Sequence, residues 1–111
     1  MKKDFEITGF GMLKQIAENH QKAGVIFPSD EFILERLRSL ATFFEANGLS
    51  TRKLLDANGE ISREFSLRSS DLTDLGMKVL RKGYKPWMRN SMKRSPDDVS
   101  AMTKALIHET T

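Results

Sequence analysis

The sequence predicts a compact all-α domain of about five helices. Three observations carry that expectation. Apolar residues recur at helical spacing in four stretches. Capping residues and left-handed stops punctuate those stretches. Of the 111 residues 39% are apolar, enough for a real core, and no cysteine is available to staple one.

The elements follow in order. In "FGMLKQIAENHQKAG" the residues Leu13, Ile16, Ala17 and His20 fall at helical spacing, with Gly24 suited to the stop. Phe10, Met12 and Leu13 lead this helix into the core. Pro28 then disfavours helix at Phe27. "SDEFILERLRSLATFFEANG" is the most legible helix. Ser29 is a natural cap, Asp30 and Glu31 complement the positive helix end, and Asn47-Gly48 supplies the stop. Phe32, Ile33, Leu37, Leu40, Phe43 and Phe44 form its apolar stripe. "STRKLLDANG" reads as a short helix capped by Ser50 and ended at Asn58-Gly59. Ile61, Phe65 and Leu67 then share a face at period two, with Arg63 as the exception, which predicts a minor β-hairpin near residues 60–67.

"DLTDLGMKVL" restarts a helix with Asp71 as cap and Asp74 three residues on; Leu72, Leu75, Val79 and Leu80 face inward. Gly83 and Pro86 predict a break and a new short helix, with Trp87 and Met88 packed inward. In "RSPDDVSAMTKALIHE" Ser95 reads as cap, Pro96 as first helical residue, and Asp97 and Asp98 as dipole partners. Val99, Met102 and Leu106 give the buried face. No linker or repeat divides the chain, so residues 1–111 read as one domain.

Charge is unevenly placed. The net charge is +3, yet residues 77–94, "MKVLRKGYKPWMRNSMKR", hold seven basic and no acidic side chains. Residues 1–76 carry 10 basic and 12 acidic side chains, and residues 95–111 have a net of −2. Such segregation concerns partners and association rather than fold. The candidate partner-binding residues are Lys82, Tyr84, Lys85, Trp87, Arg89, Lys93 and Arg94. Phosphates would need the cations on one face, and base stacking would need exposed aromatics. The acidic residues between 30 and 64 form the competing surface. Asp30, Glu31 and Glu35 alternate with Arg36 and Arg38, as on a solvated, salt-bridged helix face.

Chemistry finds little support. With no cysteine, thiolate metal sites and disulfides are excluded. His20 and His108 belong to no metal-binding spacing. "LLDANGEISREF" resembles the middle of a calcium loop, but Leu54 and Phe65 stand where carboxylates are required. No nucleophile elbow or phosphate-binding glycine loop occurs. The expectation is therefore a non-enzymatic protein with no cofactor and no metal. Apolar runs are too short to span a bilayer, and Asp4 and Glu6 interrupt any signal-peptide core, so the expected location is the cytoplasm.

Residues 44–106, through "FEANGLSTRKLL", "SLRSSDLTDLGMKVLRKGYKPWMRN" and "SPDDVSAMTKAL", resemble the small, mainly helical immunity proteins of bacterial toxin–immunity systems, contact-dependent inhibition among them. The resemblance implies a protein that binds and neutralises a cognate toxin domain, often a nuclease. Many immunity proteins that oppose nucleases are acidic, and this chain, with a pI near 9.3, departs from that habit. The alternative expectation is a small nucleic-acid-binding protein that uses residues 78–94.

Overall fold

The computed structural model describes residues 4–19, 29–93 and 95–111. Among them are four helices and one two-stranded antiparallel sheet, in the order β1 (Glu6–Gly9), α1 (Phe10–Asn19), α2 (Asp30–Ala46), β2 (Ser66–Arg68), α3 (Asp74–Lys93) and α4 (Ser100–Thr110). The chain is mainly helical, with four helices where about five were expected. The expectations for His20 and Gly24 lie outside the described residues.

The best-punctuated helix forms as expected. Phe32 N donates to Ser29 Oγ over 3.1 Å, which caps α2. At the other end Gly48 takes a φ of 66°, a backbone that only glycine adopts without strain. Ile33, Leu37, Leu40, Ala41 and Phe44 are buried, and Phe32 and Phe43 are half-buried beside them.

The expected helix at residues 50–58 does not form. Several of its backbone donors are taken by groups outside the segment, which competes with helical bonding. Thr51 N donates to Asp71 O over 2.7 Å, and the amides of Leu54 and Leu55 both donate to Glu45 Oε1. Ser50, the expected cap, instead bridges to Leu72. Gly59 does turn left-handed, with a φ of 74°, but it closes a loop around Asp56.

The expected hairpin at residues 60–67 is also corrected. Strand β2 pairs with β1, some sixty residues earlier, with Glu6 opposite Arg68 and Gly9 opposite Ser66. A bulge falls between Glu6 and Thr8. Leu67 and Thr8 are buried on this small sheet.

Helix α3 is one element of 20 residues, with Pro86 inside it and no break at Gly83. The interior proline sacrifices a backbone bond. Packing against α4 outweighs that loss. A Cβ on Gly83 would lie 2.8 Å from Met102 Sδ and 3.1 Å from Ala101 O, so the bare glycine lets the two helices close together. Thr73, not Asp71, caps α3: Gly76 N donates to Thr73 Oγ1 over 3.0 Å. Asp71 lies in a 3-10 turn, Ser69–Asp71, where it serves other groups.

Helix α4 starts later than expected. Residues 95–98 form a turn, closed by Asp98 N donating to Ser95 O over 3.1 Å. Asp98 Oδ1 accepts from Ser100 N over 2.9 Å, a local bond that competes with helix and delays its start. Ala101, Met102 and Ala105 are buried on α4, with Val99 and Leu106 half-buried.

Candidate docking face on the third helix

Twenty residues of unbroken helix fix where the basic side chains point. Lys78, Arg81, Lys82, Lys85 and Arg89 are spaced three, one, three and four apart. On a helix of 3.6 residues per turn these positions span an arc of roughly 100°, and the row runs about 16 Å along the axis. All five side chains are exposed. The opposite arc carries Val79, Leu80, Gly83 and Trp87, all buried. Lys93 continues the row in the last turn of α3, but its side chain, like the whole of Arg94, lies outside the described residues.

Both aromatic candidates turn away from the solvent side. Trp87 is 0% exposed, so its ring is a core element and not a stacking platform. The Tyr84 ring is half-buried and packs on it, with centroids 5.7 Å apart and planes inclined by 35°. Burial pushes the Tyr84 phenol above its ordinary pKa, while Thr8 and Arg36 pull it the other way. Thr8 Oγ1, Tyr84 Oη and Trp87 Nε1 are all buried with no hydrogen-bond partner among the described residues.

A residue the sequence reading misplaced completes this cluster. Arg36 was expected on a solvated face with Asp30, Glu31, Glu35 and Arg38, yet it is only 2% exposed. Its guanidinium lies 5.2 Å above the Trp87 ring, and Nη2 donates to Met88 O over 3.3 Å. Burial lowers its pKa to about 10, with the Tyr84 oxygen acting in the opposite direction. The signal was present in the spacing. Position 36 lies three after Ile33 and four before Leu40, on the same buried stripe.

The acidic residues of 30–64 are largely committed inside the molecule. Asp30 pairs with Lys14 at 3.3 Å and Arg63 at 3.2 Å. Glu35 pairs with Arg38, and Glu45 serves the amides of Leu54 and Leu55. Asp56 Oδ1 accepts from Asn58 N over 2.8 Å and Glu60 N over 2.9 Å, so the loop that resembles a calcium site is organised by its own backbone. Glu31 and Glu60 line a shallow depression of about 190 Å³ with Leu34 and Ile61.

The cations of α3 are placed differently. Of the ion pairs among the described residues, none involves Lys78, Arg81, Lys82, Lys85 or Arg89. A group of like charges outside any ion pair attracts an anionic partner and repels a cationic one. His108 is exposed near the end of α4. Among the described residues no helix is long and apolar enough to cross a membrane. Comparison with protein-family models, with curated proteins and with solved structures finds no match to this chain.

Proposed function

We propose that the protein is a non-enzymatic binding module that docks an acidic surface of a protein partner through the exposed arc of α3. The observation that supports this reading is the row of five exposed cations, none of them in an ion pair among the described residues, on one arc of a helix whose other side is core. Such a row raises association rates and rejects cationic partners. The resemblance of residues 44–106 to toxin-neutralising immunity proteins suggests that the partner is a toxin domain met in the bacterial cytoplasm. The chain's basic pI then calls for an acidic toxin surface rather than mimicry of nucleic acid.

Co-expression with the product of the adjacent gene tests this reading. The wild-type chain is expected to retain that product at low salt. The triple variant Lys82→Glu, Lys85→Glu, Arg89→Glu, with an unchanged circular dichroism spectrum, is expected to lose it. A chain that retains no protein and turns over a substrate would overturn the proposal.

The same row also favours a second reading, binding to a phosphodiester backbone. Under that reading affinity falls steeply with salt, because each phosphate contact releases counterions. Burial of Trp87 removes one of the two aromatics that single-strand binding would use. Fluorescence anisotropy with duplex DNA, single strands and structured RNA at two salt concentrations separates the two readings. Nucleic-acid binding that survives Lys82→Ala, Lys85→Ala and Arg89→Ala together would exclude this face.

A further inference from the structure

Next to the N-terminal half of the cationic row lies a groove of about 760 Å³. Its apolar walls are Phe5, Leu72 and Met77, and Lys78 and Arg81 stand on its edge. Phe5 is 48% exposed, unusual for a phenylalanine in a small domain. Leu72 is 6% exposed and Met77 is half-buried, so the groove has a fixed floor and an adaptable wall. Two acids also line it. Asp4 is already bound by Arg68 Nε at 2.8 Å and by Ser70 N at 3.1 Å, and Arg68 holds its pKa well below the carboxylate range. Asp74 sits in the first turn of α3, where its charge complements the helix end.

The groove therefore presents apolar surface to an incoming group, and the cations beside it continue along α3 without a break. Protein interfaces are built this way, with an apolar anchor in a pocket and charge around it that steers and orients. A phosphate backbone has nothing to place against Phe5, Leu72 and Met77. We infer that the groove and the cationic row together bind one acidic amphipathic segment of a partner protein. An apolar side chain of that segment enters the Phe5–Leu72–Met77 groove, and its carboxylates lie along Lys78 to Arg89. This inference rests on the reading of α3 as a protein-docking face and names the class of partner that the face selects.

The experiment uses the full chain and two labelled synthetic helical peptides of equal length and equal negative charge. One repeats leucine every three to four residues, and the other has alanine in those places. A labelled DNA duplex is the third probe. In fluorescence anisotropy at low salt the leucine peptide is expected to bind about tenfold tighter than the alanine peptide, as filling an apolar pocket implies. Phe5→Ser, at an exposed site with little to unfold, is expected to erase most of that difference and leave the alanine peptide unaffected. Lys82→Glu with Lys85→Glu is expected to weaken both peptides. Equal binding of the two peptides would overturn the groove while leaving the cationic docking face intact. Binding of the duplex but of neither peptide, lost on the double charge reversal, would overturn both. Binding of none of the three probes would overturn the inference as well.

Discussion

The segment from Ser50 to Phe65 and helix α3 are held by opposite means. In the first, Leu54 is the only residue buried below a tenth of its surface, and carboxylates and carbonyls grip the backbone one amide at a time. In the second, Val79, Leu80 and Trp87 are sealed in the core that also holds residues of α2 and α4, and the backbone bonds are the helix's own. The loop's stability is spread over exposed or partly buried hydrogen bonds of about 1 kcal/mol each. That of α3 is concentrated in a few buried side chains worth several times as much. The contrast explains why α3 tolerates an interior proline whereas a better-punctuated ten-residue stretch stays irregular. Short helices are marginal on their own, and tertiary burial decides whether they persist.

Removing the largest buried side chain tests that contrast most severely. Trp87→Ala is expected to cost about 3–5 kcal/mol in chemical denaturation, since it leaves a cavity under Arg36 and Tyr84. An unchanged midpoint with lost partner binding would show instead that the indole acts as an exposed anchor. Next in size is Pro86→Ala, which restores a backbone donor in mid-helix. It is expected to stabilise the protein by about 2 kcal/mol, the helical penalty of proline less its restriction of the unfolded chain. If the substitution destabilises, the proline is shaping α3 rather than being tolerated by it. Gly83→Ala opposes a gain in helix propensity to a contact of 2.8 Å with Met102 Sδ and 3.1 Å with the Ala101 carbonyl. Because Met102 is fully buried and the carbonyl belongs to α4, the contact is expected to win, with a net cost of about 1 kcal/mol.

How far the sequence foretold all this follows from the range of the forces involved. The Ser29 cap and the Gly48 stop act within four residues, and both were readable. The grouping of the cations followed from their spacing, and the inward turn of Trp87 from the need of a small core for a large aromatic. The continuity of α3 did not, because it depends on Ala101 and Met102 receiving Gly83 across a helix pair. Strand β1 escaped notice for a similar reason: four residues acquire strand character only by pairing with Ser66–Arg68. The groove was not legible at all. Phe5 stands more than sixty residues before Leu72 and Met77 and meets them only in the fold.

An expected effect no larger than that of Gly83→Ala concerns the turn that joins the loop region to α3. Asp71 accepts from Arg52 Nε over 2.7 Å, from Arg52 Nη2 over 3.1 Å and from Arg68 N over 2.9 Å. Burial alone would raise its pKa, but the Arg52 hydrogen bond and the Arg68 amide outweigh it, and the group ends below the ordinary carboxylate value. A carboxylate with a lower pKa in the folded state stabilises that state at any pH above its unfolded pKa of about 3.9. That stabilisation is lost as pH falls through the folded value. Asp71→Asn is therefore expected to cost about 1 kcal/mol at neutral pH, because Arg52 is half-exposed and the pair is screened. The variant's deficit should shrink below about pH 4, where the wild-type carboxylate also gains its proton. Thermal denaturation from pH 7 to pH 2 follows the two curves. The depressed pKa of Asp4, bound to Arg68, gives the same sign, so a residual acid slope should persist in the variant. A deficit that stays constant over the whole range would mean that Asp71 acts through its shape and its acceptor atoms, with no contribution from its charge.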